Sequence, residues 1–445
     1  MSSALRSIPL APGSVPVLGH LPSLLRGPLE FLSATTDHDL VRVRLGPSTA
    51  VLVRDPQLTQ QVLRDDKTFD KGGAVIERLR ESLGNGLITC PHRDHRRLRR
   101  LVQPAFQPAR IPGYATAMST EIAAVTGSWR DGQVLDVLRT MMTIASRSAT
   151  ATLFSDALAA RALRTAHEDL YTLLAGVFRR IMTPAPLDRL PTPGNRRYHR
   201  ARHRLRDTLS QVVAHRRASG GDHDDLLSAL LTARDAADGR GLTDEEIRDQ
   251  LTTFFLAGTE TTASIVSWAL HLIARHPSVE RRLHAEVDEV LAGRPATHSD
   301  LARLPFTGRI ITETLRMRSS GWMVTRVVTS DTRLGGHALP EGTTIMYSPY
   351  LLQHRADAFP EPHRFDPDRW APDHPSPPPR ESYIPFGSGS RKCPGDTFGT
   401  IETILALATI ATRWRLRPAS GRPVRMAPTM ALLPRDLTMR LEART

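Results

Sequence analysis

Residues 243–277 read TDEEIRDQLTTFFLAGTETTASIVSWALHLIARHP, and no other stretch constrains the fold as tightly. Thr243, with Glu246 three residues on, has the pattern of a capping box that starts a helix. Pro277 marks its end. A helix of this length, apolar over most of its middle, has to cross the core of the protein. Its centre then breaks the apolar rule with AGTETT at 257–262. Glycine in a helix interior costs about 1 kcal/mol relative to alanine, and an unpaired buried glutamate costs more. Two readings are open. The threonines could simply bond back to the preceding turn. Alternatively the helix opens locally beside a ligand, with Glu260 and Thr261 placed to move protons and Gly258 letting a bulky group approach the backbone.

Around this helix the pattern is mostly helical with a minor strand component. VRVRLG and TAVLVR predict a hairpin, followed by a helix over PQLTQQVLRD. Helical periodicity covers DHRRLRRLVQPAF as far as Pro104, most of 113–240 apart from the Pro-rich break at 183–194, SVERRLHAEVDEVLAG, PFTGRIITETLRM and FGTIETILALATIATRW. RVVTSDTRL and TTIMYSPY read as strands separated by the turn HALPEG. No clean linker interrupts the chain. The expectation is a single α-rich domain over 1–445, with 1–25 as an extended lead-in stiffened by Pro9, Pro12 and Pro16.

The formal net charge of +13 is carried nearly all by arginine. Such an excess suits nucleic acid, an anionic membrane or an acidic protein partner. Arginines scattered through helical stretches, with few aromatics, argue against nucleic acid. The early residues lack both a membrane-spanning run and the apolar core of a signal peptide, which predicts a soluble cytoplasmic protein. Two cysteines, Cys90 and Cys393, exclude a disulfide scaffold and a multi-cysteine metal cluster.

Cys393 lies in FGSGSRKCPG, residues 386–395. Glycines before a cysteine suit a tight loop against a flat ligand. Arg391, Lys392 and the helix that follows would help hold a thiolate. A single thiolate is sufficient as an axial ligand of haem iron. Elsewhere, ETLR puts Glu313 and Arg316 on one helical face, where Arg369 of DPDRW could share the acid. DHRRLRR puts His95 and Arg99 on another, either as solvated basic surface or as donors converging on an anion.

On these residues the chain resembles the cytochrome P450 family. Phe386, Gly389, Arg391, Cys393 and Gly395 match its haem loop F-x-x-G-x-R-x-C-x-G. AGTETT resembles the oxygen-activating stretch of its central helix, and Glu313, Arg316 and Arg369 match its E-x-x-R pair and meander arginine. The resemblance implies a triangular, mainly α fold with haem b held by Cys393. It gives Glu260 and Thr261 the delivery of protons and places Gly258 against the cofactor. His95, Arg99, Arg326 and Arg391 would neutralise the propionates, leaving Cys90 as a buried thiol without a catalytic role. Ser319 and Ser320 depart from the two prolines common after E-x-x-R.

The resemblance further implies a monooxygenase that uses O2 and electrons from NAD(P)H through a ferredoxin reductase and a ferredoxin. Lys392, Arg96, Arg97 and Arg100 are the candidates for steering an acidic donor. No membrane anchor and a monomeric state are expected. Pocket walls would come from Ile76, Leu79 and Leu83, from Phe255 and Ala257, from Trp322, Met323 and Val324, and from Met430 and Leu432. This largely apolar set suits an apolar small molecule. The chain is similar to actinobacterial sesquiterpene-oxidising members, implying a hydrocarbon such as pentalenene taken from methyl to alcohol to aldehyde. Fatty acids, macrolides and steroids stay open, as do a haem sensor and a haem–thiolate isomerase or dehydratase.

Overall fold

The capping box expected at Thr243 is formed. Glu246 N donates to Thr243 Oγ1 at 3.2 Å, and Thr243 N donates to Glu246 Oε2 at 2.9 Å. From this start a helix runs unbroken over Asp244–Ala274, with most of its middle buried. It is the axle of the fold. The helices Val137–Leu153, Pro193–Ser219, Pro305–Met317 and Asp396–Arg413 all pack against it. The computed structural model describes residues 3–35, 38–155, 169, 172–177, 179–180, 183, 190–220 and 223–444. Part of the Pro-rich break expected at 183–194 lies outside them.

A five-stranded sheet flanks the helical body. Its order is Leu40–Leu45, Ser48–Val53, Thr344–Tyr347, Val324–Val328, Phe69–Asp70. The first two strands form the expected hairpin, and Ser48–Val53 pairs in parallel with Thr344–Tyr347. The alternation of side chains divides Ser48–Val53 between two apolar layers. Val51 and Val53 join one cluster, while Ala50 and Leu52 join the other. Both faces of this strand are therefore covered, which explains its nearly continuous apolar run.

The segment read as RVVTSDTRL and the turn HALPEG is organised differently. Val324–Val328 ends early, and Thr332–Leu334 pairs with His337–Leu339 through Gly335 and Gly336. Their φ angles of 54° and 81° make the two-residue turn that a hairpin prefers. Near the C-terminus, Arg425–Pro428 and Leu432–Arg435 form a further hairpin. Its tip is fastened to the central helix: Ser264 Oγ and Trp268 Nε1 both donate to Leu432 O, at 2.8 and 2.6 Å. Among the described residues, no helix is long and apolar enough to cross a membrane.

Candidate active site

Cys393 sits in a loop that only glycine can shape. Gly387 and Gly389 have φ of 72° and 68°, the left-handed region that costs other residues strain. A Cβ on Gly389 would lie 2.3 Å from Leu63 O. Cys393 N donates to Phe386 O at 2.9 Å and closes the loop. The N–H of Gly395 reaches the Cys393 sulfur just ahead of the helix Asp396–Arg413. Burial raises the thiol pKa. Gly395 N–H, Arg99 and Lys392 favour the thiolate, against Asp396. A bound metal would shift that balance decisively, since a coordinating thiol is deprotonated outright. Cys90 is fully buried, with its carbonyl accepting from Arg391 at 2.8 Å.

The central helix presents one open face. Phe254, Ala257, Gly258 and Thr261 stay partly exposed in a run that is otherwise buried. Their i, i+3, i+4, i+7 spacing makes one stripe. A Cβ on Gly258 would meet nothing within 4 Å. Phe254 meets Phe106 edge to face at 5.2 Å, and Phe106 lies in turn against Phe398 and Gly395. The stripe is thus tied to the Cys393 loop. Beside that loop opens a cleft of about 510 Å³, lined by Arg99, Phe106, Lys392, Cys393, Asp396 and Ile401 among others.

The helix itself is not opened at AGTETT. Thr259 and Thr261 donate back to Phe255 O and Ala257 O, at 2.7 and 2.6 Å, and the α-helix is continuous. Back-bonding satisfies the hydroxyls, so no backbone carbonyl is released. Phe255, expected on the pocket wall, is fully buried on the other side. Of the remaining wall residues, Ala257, Met323, Val324 and Met430 keep exposure, whereas Ile76, Leu79, Leu83, Trp322 and Leu432 are buried. Glu260 is buried and its pKa is pushed up to about 7 by desolvation, with Thr429 Oγ1 at 3.1 Å opposing.

Several basic side chains converge on one place with donor capacity to spare. Arg326 is 3% exposed; among the described residues its Nε has no partner and its Nη1 reaches only the Thr325 carbonyl, at 3.1 Å. His95 is buried with Nδ1 unsatisfied, 3.9 Å from Asp66. Burial, then Arg391, takes its pKa down to about 3. Lys71, which no spacing rule singled out, joins them: burial, then Arg326 and Arg391, lowers its ammonium to about 7. Arg326 and Lys71 left this way require an anion, with neutral His95 as a further donor, and the two propionates of a haem fit.

The other two expected propionate ligands, Arg391 and Arg99, have protein partners. Arg391 is held by Asp66 at 2.9 Å, Asp70 at 2.8 Å and Cys90 O. Neither acid had a signal in the sequence. Arg99 donates to Lys392 O at 2.5 Å and to Gln103 Oε1 at 3.0 Å, so its contact is with the ligand loop. The bracing group forms as expected around Glu313 and Arg316. Arg369 stands at ion-pair distance, 3.6 Å, while Trp370 Nε1 donates to Glu313 at 2.8 Å. Glu402 was not anticipated. Buried on the helix after Cys393, it accepts from Thr262 at 3.2 Å, and desolvation raises its pKa to about 8.

The protein-family model for cytochrome P450 matches residues 9–440. Over 413 residues the chain is 47% identical to cyclooctat-9-en-7-ol 5-monooxygenase of Streptomyces melanosporofaciens, covering 92% of this chain and 90% of that protein. It is 46% identical over 439 residues to pentalenene oxygenase of Streptomyces avermitilis, covering 98% and 97%. It is 44% identical over 438 residues to cyclooctatin synthase of S. melanosporofaciens, covering 98% and 95%. A match of this extent, joined to a cysteine loop linked through Phe106 to an open helix stripe, has one meaning: the chain belongs to the cytochrome P450 family of monooxygenases, whose haem b is held by a cysteine thiolate.

Proposed function

We propose that this monooxygenase oxidises a cyclic terpene hydrocarbon of the pentalenene type, with Cys393 as the thiolate ligand. The observation that carries the substrate class is the open stripe of the central helix. Phe254, Ala257, Gly258 and Thr261 offer it no fixed charge, and the adjacent acid, Glu260, is buried and turned to Thr429. A site of this kind selects by shape and apolar area. The likeness to pentalenene oxygenase over nearly all of both chains supports the same reading.

Bound haem supplies the reduction of O2 and the oxidation of a C–H bond. The chain's residues then have distinct tasks. Cys393 would ligate the iron and lend it negative charge. Phe386, Gly389 and Gly395 shape its loop, and Arg99 ties that loop to the helix His92–Val102. Lys71, Arg326 and His95 would hold the propionates, while Arg391 anchors the loop to Asp66 and Asp70. Gly258 leaves room at the helix. Thr261 has committed its proton to Ala257 O, so toward the slot it presents lone pairs and orients a proton in transit. Glu260, poised near pH 7, takes protons up and hands them on.

Family membership brings an external electron donor, for which a ferredoxin is our proposal. Of the four steering candidates, the structure ties Arg97 to Glu246, Arg100 to Asp235 and Lys392 to Asp396. Arg96 stays exposed.

The reading is tested by titrating the ferric protein with pentalenene, cyclooctat-9-en-7-ol and a long-chain fatty acid while following the low- to high-spin shift. A saturable shift with pentalenene and none with the fatty acid is expected. A response to the fatty acid alone overturns it.

A further inference from the structure

Glu260, Ser264 and Trp268 lie at i, i+4 and i+8 on the central helix, one stripe facing the C-terminal hairpin. All three are engaged by the hairpin tip. Ser264 and Trp268 hold Leu432 O, and Glu260 meets Thr429. Thr429 is itself fixed from both sides. Trp322 Nε1 donates to its carbonyl at 2.9 Å, its own N–H donates to Ala431 O at 2.9 Å, and its hydroxyl lies 2.9 Å from that same oxygen. Among the described residues, Thr429 is the one side chain that hydrogen-bonds the Glu260 carboxyl.

We propose that Thr429 is the positioning residue of Glu260, its hydroxyl clamped between the carboxyl and Ala431 O so that it holds the acid in place whether protonated or not. The proposal rests on reading Glu260 as the proton carrier. A hydroxyl has one proton and two acceptor sites. Neutral Glu260 donates to Thr429 Oγ1, whose own proton then goes to Ala431 O. When Glu260 ionises, the hydroxyl turns its proton to Oε1, and Ala431 O keeps the Thr429 N–H. No other backbone or side-chain bond has to change, so one rotation of a single O–H serves both states.

Charged groups elsewhere do not compete. Glu402 on the helix Asp396–Arg413 is bonded to Thr262, and Glu313 on Pro305–Met317 is bonded to Arg316. Arg147 on Val137–Leu153 pairs with Glu121, and Arg425 and Arg435 of the hairpin point to solvent. On the central helix itself, Asp249 accepts from Asn85 N and His271 lies against Trp268. Burial and Thr429 alone act on Glu260, in opposite directions. Removing the hydroxyl leaves burial unopposed.

The test is an infrared pH titration of the haem-loaded, substrate-free protein. It follows the protonated-carboxyl band that disappears in Glu260→Gln. In the wild type the band titrates near pH 7. In Thr429→Val and Thr429→Ala its midpoint moves up by about one pH unit, and the fraction of electrons released as peroxide rises with the same displacement in pH. Thr429→Ser behaves as wild type. A Thr429→Ala band that titrates with the wild type, in protein of unchanged melting temperature, overturns the proposal. If that happens while Glu260→Gln uncouples turnover, only the role of Thr429 is lost. If Glu260→Gln turns over with wild-type coupling, the reading of Glu260 is lost and the role of Thr429 with it.

Discussion

Arg316 grips Glu313 with two parallel hydrogen bonds, Nε to Oε2 and Nη2 to Oε1, both at 2.8 Å, and neither side chain has any exposed surface. The remaining guanidinium donors go to the carbonyls of Gln353, Pro362 and Arg364. Asp366 N and Trp370 Nε1 fill the carboxylate. This one ion pair therefore fastens the helix Pro305–Met317 to the whole meander that leads to Cys393. Removing one partner of a buried pair costs about 3–5 kcal/mol. Arg316→Ala is expected to lower stability by that amount and to abolish haem uptake, measured by denaturant unfolding and haem absorbance. Arg369→Ala, whose contact is longer, should cost under half as much.

Arg326 and Arg391 are both cations beside the ligand loop, but their partners differ. Arg391 is satisfied by Asp66 and Asp70, whereas Arg326 has an unpartnered Nε. Arg326→Ala should leave the melting temperature of the haem-free protein unchanged or raised, and speed haem loss to an acceptor about tenfold, equivalent to about 1.4 kcal/mol. Arg391→Ala strands two carboxylates and should destabilise the haem-free protein as well. Equal effects of the two on unfolding would refute the distinction.

Glu402 predicts a pH dependence. Its folded pKa is raised to about 8 by burial, so the folded state binds a proton that the unfolded chain has released. Between the unfolded value and about 8, stability falls as pH rises, with a limiting slope of about 1.4 kcal/mol per pH unit from this group. Below that window the group has no effect. Glu402→Gln should flatten the slope between pH 5 and 8 in urea unfolding, becoming more stable relative to wild type as pH increases.

Arg96 is the steering candidate without an internal acid among the described residues. Arg96→Glu should slow reduction by an acidic ferredoxin severalfold at low salt and converge with wild type at high salt. Arg100→Glu, by contrast, also disrupts the Asp235 contact and should lower stability. A reduction rate indifferent to Arg96→Glu at every ionic strength would remove it from the docking face.

The elements legible in the sequence were those set by local rules. Periodicity and a capping box gave the central helix its limits, and glycines with one cysteine located the ligand loop. Lys71, Asp66, Asp70 and Thr429 escaped because nothing local marks them. Each becomes meaningful only when a distant segment, around Arg391 or Glu260, is folded against it. AGTETT left two readings open, and the structure takes one of them. The threonine hydroxyls bond back to the turn before them, so the helix runs through without opening.

The close approach of Gly389 to Leu63 has a consequence for protein engineering. The segment from Pro56 to Asp70 acts as a mould: its backbone leaves no space for a side chain at Gly389, and Asp66 and Asp70 lock Arg391. The ligand loop is therefore not a portable cassette. A chimera that imports this loop from another member of the family must carry the matching mould with it, and one that exchanges either part alone should express without taking up haem.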